Sequence, residues 1–441
     1  MGVLLKFARF KDFVTWDVKS HLVSLIVSKY NVVTLSEYIQ EETTKIKPFE
    51  YPNDDFKILG VSNKVGLFDN EIKKGKDINQ AYKVVKDCFL AYNPYRINVG
   101  SIGLKTKEQK YDLISPAYVV FSCKKELLPE YLFLIFKTKT FNKIINESTK
   151  GSVRQILSFD ILEKLKIPLP PLDIQKKLVK NYHDKLNLSI SQEKQIKEKD
   201  EEIEKYLYKE LGIKIIDNKT DNEILSFIRF KDLDRWTVKD LLNTKQITSK
   251  LYNTLNLSNI IIGKPKYGSN SKGLKKVTDI RYIRITDINE DGTLNDEIVS
   301  SEKVESSYIL KQDDFLIARS GNTVGKTFLY DKKYGTCMYA GYLIKFTLNK
   351  EVVFPLYLLY YTKSSLYKKW INSNLRIAGQ PNINSQEYLN SPIILPPLEI
   401  QNKIAQNIQK IKDKINILKN KSIQNKTLAL EEFEKEIFNE T

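Results

Sequence analysis

Cysteine, histidine and methionine are scarce in this chain of 441 residues, which holds three, two and two of them. Cys88, Cys123 and Cys337 are odd in number and no CxxC pair occurs. That excludes a disulfide framework and a cysteine zinc site, and it fits a reducing compartment, so a cytoplasmic location is expected. His21 and His183 stand far apart in sequence, and no acid–base or nucleophile constellation can be assembled from them. No apolar run approaches the ~20 residues that cross a bilayer. The best one, Tyr131-Leu132-Phe133-Leu134-Ile135-Phe136, suits a buried element, and the N-terminus lacks a signal-peptide cleavage pattern. No membrane partner is expected.

What the chain does have, it has twice. Phe7-Ala8-Arg9-Phe10-Lys11-Asp12, followed by Trp16 and Val18-Lys19, returns as Phe227-Ile228-Arg229-Phe230-Lys231-Asp232, followed by Trp236 and Val238-Lys239. Pro170-Pro171-Leu172-Asp173-Ile174-Gln175 returns as Pro396-Pro397-Leu398-Glu399-Ile400-Gln401. The two offsets, 220 and 226 residues, show whole modules duplicated with a small change in length. Two copies are too few for a solenoid, whose short repeats need several neighbours to close a core. A duplicated module suits one chain gripping a ligand with two related halves.

The length allows more than one domain with its own core, and 41% hydrophobic residues sets large-scale disorder aside. The formal charge is +17. Residues 1–170 carry 27 Lys/Arg against 19 Asp/Glu, and residues 221–397 carry 25 against 18, whereas the segments after each Pro-Pro are nearly neutral. The excess therefore sits in the two modules. A phosphate backbone is the commonest polyanion for such a surface, bound through counterion release.

Each module reads as α+β. Strand-like runs are Phe56–Val61 and Arg281–Thr286. Next come Cys88–Tyr92 and Phe315–Arg319, each leading into a glycine loop: Asn93-Pro94-Tyr95-Arg96-Ile97-Asn98-Val99-Gly100-Ser101-Ile102-Gly103, and Ser320-Gly321-Asn322-Thr323-Val324-Gly325-Lys326-Thr327. Another strand follows, Tyr118–Phe121 or Tyr342–Phe346, then a helix announced by Pro129 or Pro355, with Leu132, Ile135 and Phe136 on one face matched by Leu358 and Tyr361. A polar loop closes each module, Gly151–Ile156 in one and Ala378–Asn384 in the other.

After each Pro-Pro a long helix is expected, since proline costs nothing at the first helical positions and Asp173 or Glu399 suits the positive end of the dipole. Ile404, Ile408, Ile411, Ile415, Leu418, Ser422, Asn425 and Ala429 alternate by four and three, a coiled-coil seam. Leu178, Tyr182, Leu186, Ile190, Ile196 and Ile203 form a less regular stripe, and Gly212 is a candidate C-cap. About 40 residues of helix span ~60 Å, more than a compact module needs, so the two helices are expected to pair with each other.

Three features imitate chemistry. Ser320 to Thr327 ends in Gly-Lys-Thr, but a P-loop needs glycine where Ser320 stands and a helix afterwards, where Thr327-Phe328-Leu329-Tyr330 reads as strand. Asn93-Pro94-Tyr95 lacks one proline of the adenine-methyltransferase tetrapeptide and has no glycine-rich cofactor loop before it, so a turn is the better account. The two histidines are read as surface or packing residues.

Taken in this order, twice, the features resemble the specificity subunit of type I restriction-modification systems, over nearly the whole chain. The carriers are the Trp16-Asp17-Val18 and Trp236-Thr237-Val238 openings, Asn98–Gly103 with Ser115-Pro116-Ala117-Tyr118, Ser320–Lys326, and the two Pro-Pro-Leu segments. Glutamine follows Asp-Ile or Glu-Ile where many members have Glu-Gln. The resemblance implies two similar target-recognition domains, residues 1–170 and 213–397, separated by two long antiparallel helices, 171–212 and 398–441, that form a coiled coil with pseudo-two-fold symmetry. Each domain would read one half of a split double-stranded DNA target, with half-sites about one helical turn, ~34 Å, apart. It also implies a non-catalytic chain without its own cofactor. S-adenosylmethionine would sit on two methyltransferase subunits, and ATP and Mg would serve restriction subunits.

Base readout favours Arg, Asn and Gln, with Lys, Ser and Thr holding phosphates. On the polar loops these are Arg96, Asn98, Ser101, Lys105, Arg154 and Gln155 in the first module, and Arg319, Asn322, Thr323, Lys326, Gln380 and Asn382 in the second. The specificity protein of a type IIB-like system, a coiled-coil adaptor with no role for DNA, and an enzyme built on one of the three imitations remain as alternatives at this stage.

Overall fold

The computed structural model describes residues 26–148, 156–213, 247–275, 278–375 and 380–438. The Phe-x-Arg-Phe-Lys-Asp openings with Trp16 and Trp236, His21, Arg154, Gln155, Ala378 and Gly379 lie outside them. The chain divides into two compact units, Met1–Glu193 with Lys419–Thr441, and Lys194–Leu418.

The first unit holds β1 (Val32–Thr34), β2 (Ile39–Glu41), β3 (Lys45–Ile46), β4 (Asp55–Ser62), β5 (Gly66–Lys74), β6 (Tyr82–Val84), β7 (Leu90–Tyr92), β8 (Ile102–Leu104), β9 (Leu113–Ile114) and β10 (Val119–Cys123). Then come α1 (Pro129–Lys137), α2 (Lys139–Ser148), α3 (Phe159–Leu162) and β11 (Lys166–Pro168), and α4 begins at Leu172 and runs to Glu210. Three sheets form, in the orders β2-β10-β7-β8, β3-β6-β9-β4-β5 and β1-β11.

The second unit repeats this with β12 (Thr254–Asn256), β13 (Lys266–Tyr267), β14 (Gly273–Leu274), β15 (Ile280–Ile283), β16 (Ser300–Ser301), β17 (Asp314–Ala318), β18 (Thr327–Leu329), β19 (Thr336–Tyr339) and β20 (Leu343–Thr347). It continues with α5 (Pro355–Tyr361), α6 (Ser365–Asn374), α7 (Ser385–Leu389) and β21 (Pro392–Ile394), and α8 runs from Leu398 to Ile437. Its sheets β13-β20-β17-β18 and β12-β21 reproduce β2-β10-β7-β8 and β1-β11, and β14-β16-β15-β19 stands beside them. Both units are thus α+β and mixed, as the patterning implies.

Proline at the first turn starts α1 and α5, where its missing N–H has no helical partner anyway. Both helices bury Tyr and Leu at the same positions. The Tyr131 hydroxyl donates to Pro168 O (2.8 Å) and the Tyr357 hydroxyl to Ile394 O (2.6 Å), so each ring is buried with its polar tip satisfied. The expected strand Arg281–Thr286 stops at Ile283. The buried Asp287 carboxylate accepts from the Arg284 amide (2.8 Å) and its guanidinium (2.7 Å), which draws the chain into a turn.

The glutamine of the repeated Pro-Pro-Leu segment locks each long helix to its unit. The Gln175 carboxamide accepts from Leu128 N–H (2.8 Å) and donates to Glu126 O (3.0 Å) and Pro170 O (2.9 Å). Gln401 accepts from Phe354 N–H (2.8 Å) and donates to Val352 O (3.0 Å) and Pro396 O (2.7 Å). Both side chains are fully buried, where three made bonds are the condition for keeping a carboxamide out of water.

Each unit's core takes in parts of both long helices. In the first, Leu178 and Val179 of α4, Phe433 and Ile437 of α8 and Phe438 just after it join α1 and α2, and the Phe433 ring lies 5.6 Å from that of Tyr131. In the second, Ile404, Ala405 and Ile408 of α8, Leu207 of α4 and Leu211 just after it do the same around Tyr357 and Leu358. Within each unit the two helices run antiparallel: Lys185 pairs with Glu432 and Gln192 with Asn425 in the first, and Tyr206 with Asn407 in the second. The seam of α8 lies as its pattern implies, with Ile404, Ile408, Ile415, Ser422 and Ala429 buried. On α4 the expected Ile190 is instead 54% exposed, and Ser189 takes its place, fully buried. Gly212 ends α4 at φ +60°, with its N–H bonded to Lys209 O and that of Ile213 to Tyr208 O, a Schellman closure. Among the described residues no helix is long and apolar enough to cross a membrane.

Candidate nucleic-acid interface

The two glycine loops are the turns of equivalent hairpins. β7 pairs with β8 from Leu90↔Leu104 to Tyr92↔Ile102, and β17 with β18 from Phe315↔Leu329 to Ile317↔Thr327. At the open end of each hairpin a non-glycine residue takes the left-handed conformation, Cys88 (φ +66°) and Asp313 (φ +69°). Their N–H groups reach Lys105 O (2.9 Å) and Tyr330 O (3.0 Å). At the loop end Gly100 (φ +85°) and Gly325 (φ +84°) stand at the same place, two residues before each returning strand, in a conformation that disfavours any Cβ.

The first loop is closed upon itself. Asn93 Oδ1 accepts from Tyr95 N–H (3.0 Å), Asn93 O from Arg96 N–H (3.0 Å), and Arg96 O from Ser101 N–H (3.1 Å). The amide of the Asn-Pro-Tyr segment is thereby used in a turn. A Cβ on Gly103 would stand 2.2 Å from the Leu67 nitrogen, so only glycine lets β8 pass this close to β5. Arg96 and Tyr95 are exposed at the tip and Asn98 is half-buried. Ser101 is buried, its hydroxyl 3.5 Å from Val61 O. Lys105 is also buried, its ammonium held by Asp112 (2.6 Å) and Asp87 (3.2 Å). Burial would lower its pKa, but the two carboxylates outweigh that and raise it, so the lysine stays charged and neutralised. Leu157 donates its N–H to Pro94 O (3.0 Å), which ties the segment just before α3 to the glycine loop.

In the second unit the described part of the closing loop, residues 380–384, meets the glycine loop. Ser320 and Asn382 form an isolated antiparallel bridge, Gly321 N–H donates to Pro381 O (2.9 Å), and Ile383 N–H donates to Arg319 O (3.0 Å). Arg319, Asn322, Thr323, Gln380 and Asn382 therefore share one rim, with Asn322 and Gln380 exposed. The Arg319 guanidinium carbon lies 4.9 Å from the centre of the Tyr267 ring, and its buried Nε has no hydrogen-bond partner among the described residues. Burial alone would raise the Tyr267 phenol, but its hydrogen bonds with Ser385 and the charge of Arg319 outweigh it and lower its pKa. Stacking of this kind holds a guanidinium plane in place. Thr323 spends its hydroxyl on Ser320 O (3.1 Å), and Lys326 turns away to Ile288 O (3.2 Å) and Glu290 (3.1 Å). A strand, β18, follows Lys326, so the Gly-Lys-Thr segment lacks the helix N-terminus of a phosphate loop.

Two elements escaped the sequence reading. Tyr267 sits 52 residues before the arginine it supports, with no local pattern to mark it. Lys137, at the end of α1, and Lys363, two residues past α5, reach the glycine loop at Gly100 and its returning strand at Thr327, and their common offset of 226 residues, the same as that of the Pro-Pro segments, was a signal for them.

A chain with this duplicated loop-and-helix plan has known relatives. The family model described as the type I restriction modification DNA specificity domain matches residues 28–204 and again 250–426. The type I restriction enzyme MjaVIII specificity subunit of Methanocaldococcus jannaschii is 25% identical over 354 residues, covering 78% of this chain and 75% of the relative. A solved chain from work on complex assembly and conformational transition of the type I R-M system superposes with a TM-score of 0.58 at 16% identity, over 95% of this chain and all of that one, and shows the shared fold. The chain belongs to the family of type I restriction-modification specificity subunits and carries two recognition domains.

Proposed function

We propose that each recognition domain reads one half of a bipartite double-stranded DNA target through its glycine loop, and that α4 and α8 set the unread spacer between the halves. The observation that carries this reading is the duplication of the loop itself, with Gly100 and Gly325 at matching φ and arginine and asparagine at both tips. Arginine and asparagine are the residues that make paired hydrogen bonds to guanine and adenine edges. Arg96, Asn98, Arg319, Asn322, Gln380 and Asn382 are assigned to base edges, and Arg154 and Gln155, which lie outside the described residues, are assigned the same role. Ser101, Lys105, Thr323 and Lys326 are assigned to bracing the loops, since their polar ends already have partners. The basic excess of the two modules supplies the salt-dependent grip on the backbone.

The specificity family is non-catalytic, and DNA and the other restriction-modification subunits are its partners in general. Two methyltransferase subunits binding S-adenosylmethionine are assigned to methylate adenine, and restriction subunits using ATP and Mg to translocate and cut. The reading is tested by methylome sequencing of a host expressing this gene with its methyltransferase partner. A bipartite adenine-methylated motif that appears only with the gene is expected, and a continuous motif or none would overturn the reading.

A further inference from the structure

Lys137 ends α1 and Lys363 stands two residues past α5, at equivalent positions of the two copies, and the four residues before them differ. Between Pro129–Ser148 and Pro355–Asn374, Phe133, Leu134, Ile135 and Phe136 have become Leu359, Tyr360, Tyr361 and Thr362, whereas the lysine is retained. In both places its ammonium bonds a backbone carbonyl on the returning side of the glycine loop, at neighbouring rather than identical positions. Lys137 Nζ donates to Gly100 O (3.4 Å) and lies 5.1 Å from the centre of the Phe133 ring. Lys363 Nζ donates to Thr327 O (2.8 Å), two residues beyond Gly325. Burial lowers the pKa of both, so a charge held here costs free energy that an apolar side chain of similar length would not.

The cost has to be matched by something the lysine does for the loop. In the second unit Lys363 also packs against Gly292, where a Cβ would stand 3.0 Å from its Cε, and the adjoining Glu290 holds Lys326. The end of α5, the turn at residues 288–292 and the returning limb of the glycine loop are thereby tied at one point. Neither ammonium is displayed on the loop tip, which makes a direct phosphate contact the weaker account.

We propose that Lys137 and Lys363 are positioning residues for DNA recognition, each latching its helix end to the glycine-loop limb so that the base-reading side chains keep one register. This rests on the reading that each loop serves its own half-site. A base-edge contact discriminates only within tenths of an ångström, so a loop freed from its helix loses selectivity before it loses affinity.

The test uses the full chain assembled with its methyltransferase partner, comparing wild type, Lys363→Met and Lys137→Met. Thermal unfolding, the salt dependence of DNA binding and discrimination at each half-site are measured. Lys363→Met is expected to lose about tenfold discrimination in the half-site of the second domain only, with the salt slope unchanged. Lys137→Met is expected to do the same in the other half, and it decides the matter if Lys363→Met does not fold. A salt slope reduced by about one with discrimination kept would make the lysine a phosphate ligand and overturn the proposal. Unchanged discrimination in a folded variant would also overturn it. If wild type itself shows no bipartite motif, the reading of the loops falls and takes this inference with it, an outcome distinct from a sharp wild-type motif that neither variant loosens.

Discussion

The hydroxyl of Ser189 lies 2.7 Å from that of Ser422, and both side chains are buried in the seam between α4 and α8. Around them Gln192 meets Asn425 (3.1 Å) and Glu193 meets Lys426 (2.5 Å), so a polar layer interrupts the seam within the first unit. Such a layer costs stability relative to leucine but fixes which residues face each other. Ser189→Ala alone should cost about 1 kcal/mol, because among the described residues the Ser422 hydroxyl is left with the more distant Glu193 carboxylate (3.4 Å). The double variant should recover part of that loss, measured as a coupling energy in a denaturant-unfolding cycle. Strict additivity would mean that the two hydroxyls do not pair.

Gln175 and Gln401 should be among the least replaceable polar residues. Removing either leaves a buried N–H and two carbonyls without partners, for a loss of about 2–4 kcal/mol in Gln175→Ala or Gln401→Ala. Glutamate in their place keeps the acceptor and loses the donor, so it should rescue neither. The exposed neighbour Lys176→Ala should stay within about 0.5 kcal/mol of wild type, which makes it the control in the same unfolding series.

A chain ending at Leu418 should lose protection in its first unit rather than its second. Phe433, Ile437 and Phe438 are buried against Tyr131 and its neighbours, each worth about 1.5–3 kcal/mol on burial, although about 300 residues of sequence separate them. Hydrogen exchange is expected to quicken in α1 and α2 while β17 and β20 stay protected. Unchanged exchange in α1 would show that the end of α8 is not part of that core.

Stability of the second unit should depend on pH through Lys363. Burial, opposed by Asp291 and Glu290 and aided by Lys412 and Lys368, brings its pKa down to about 7 from the ordinary 10.5. Between those values the unfolded chain holds a proton that the folded unit has released, so stability rises with pH across that window. Below it both states are protonated and the cost of the buried charge is complete. The melting temperature of Lys363→Met minus that of wild type should therefore fall from pH 6 to pH 9. A flat difference would mean that the lysine titrates normally.

Much of this architecture is legible in the sequence because its signals are local. Pro129 and Pro355 start helices, the runs Phe56–Val61 and Tyr342–Phe346 lie in or along strands, and the four-and-three spacing after Pro397 marks a seam. What escapes is set by partners distant in sequence. Ile190 reads as a seam residue because it is apolar, whereas Ser189 is tolerable inside only because Ser422 faces it. Arg284–Thr286 reads as strand until Asp287 captures the arginine. Lys105 reads as a free cation on a loop, but Asp87 and Asp112 close over it. A lysine at a helix end reads as solvated, and only comparing the two copies shows that Lys137 and Lys363 share a task.

The measurement that bears most directly on the two-reader account is methylome sequencing of hosts carrying Arg96→Ala or Arg319→Ala beside the methyltransferase partner. Arg96→Ala is expected to relax one half of the methylated motif and Arg319→Ala the other, each leaving the opposite half sharp. Both variants loosening the same half, or neither loosening any, would contradict it.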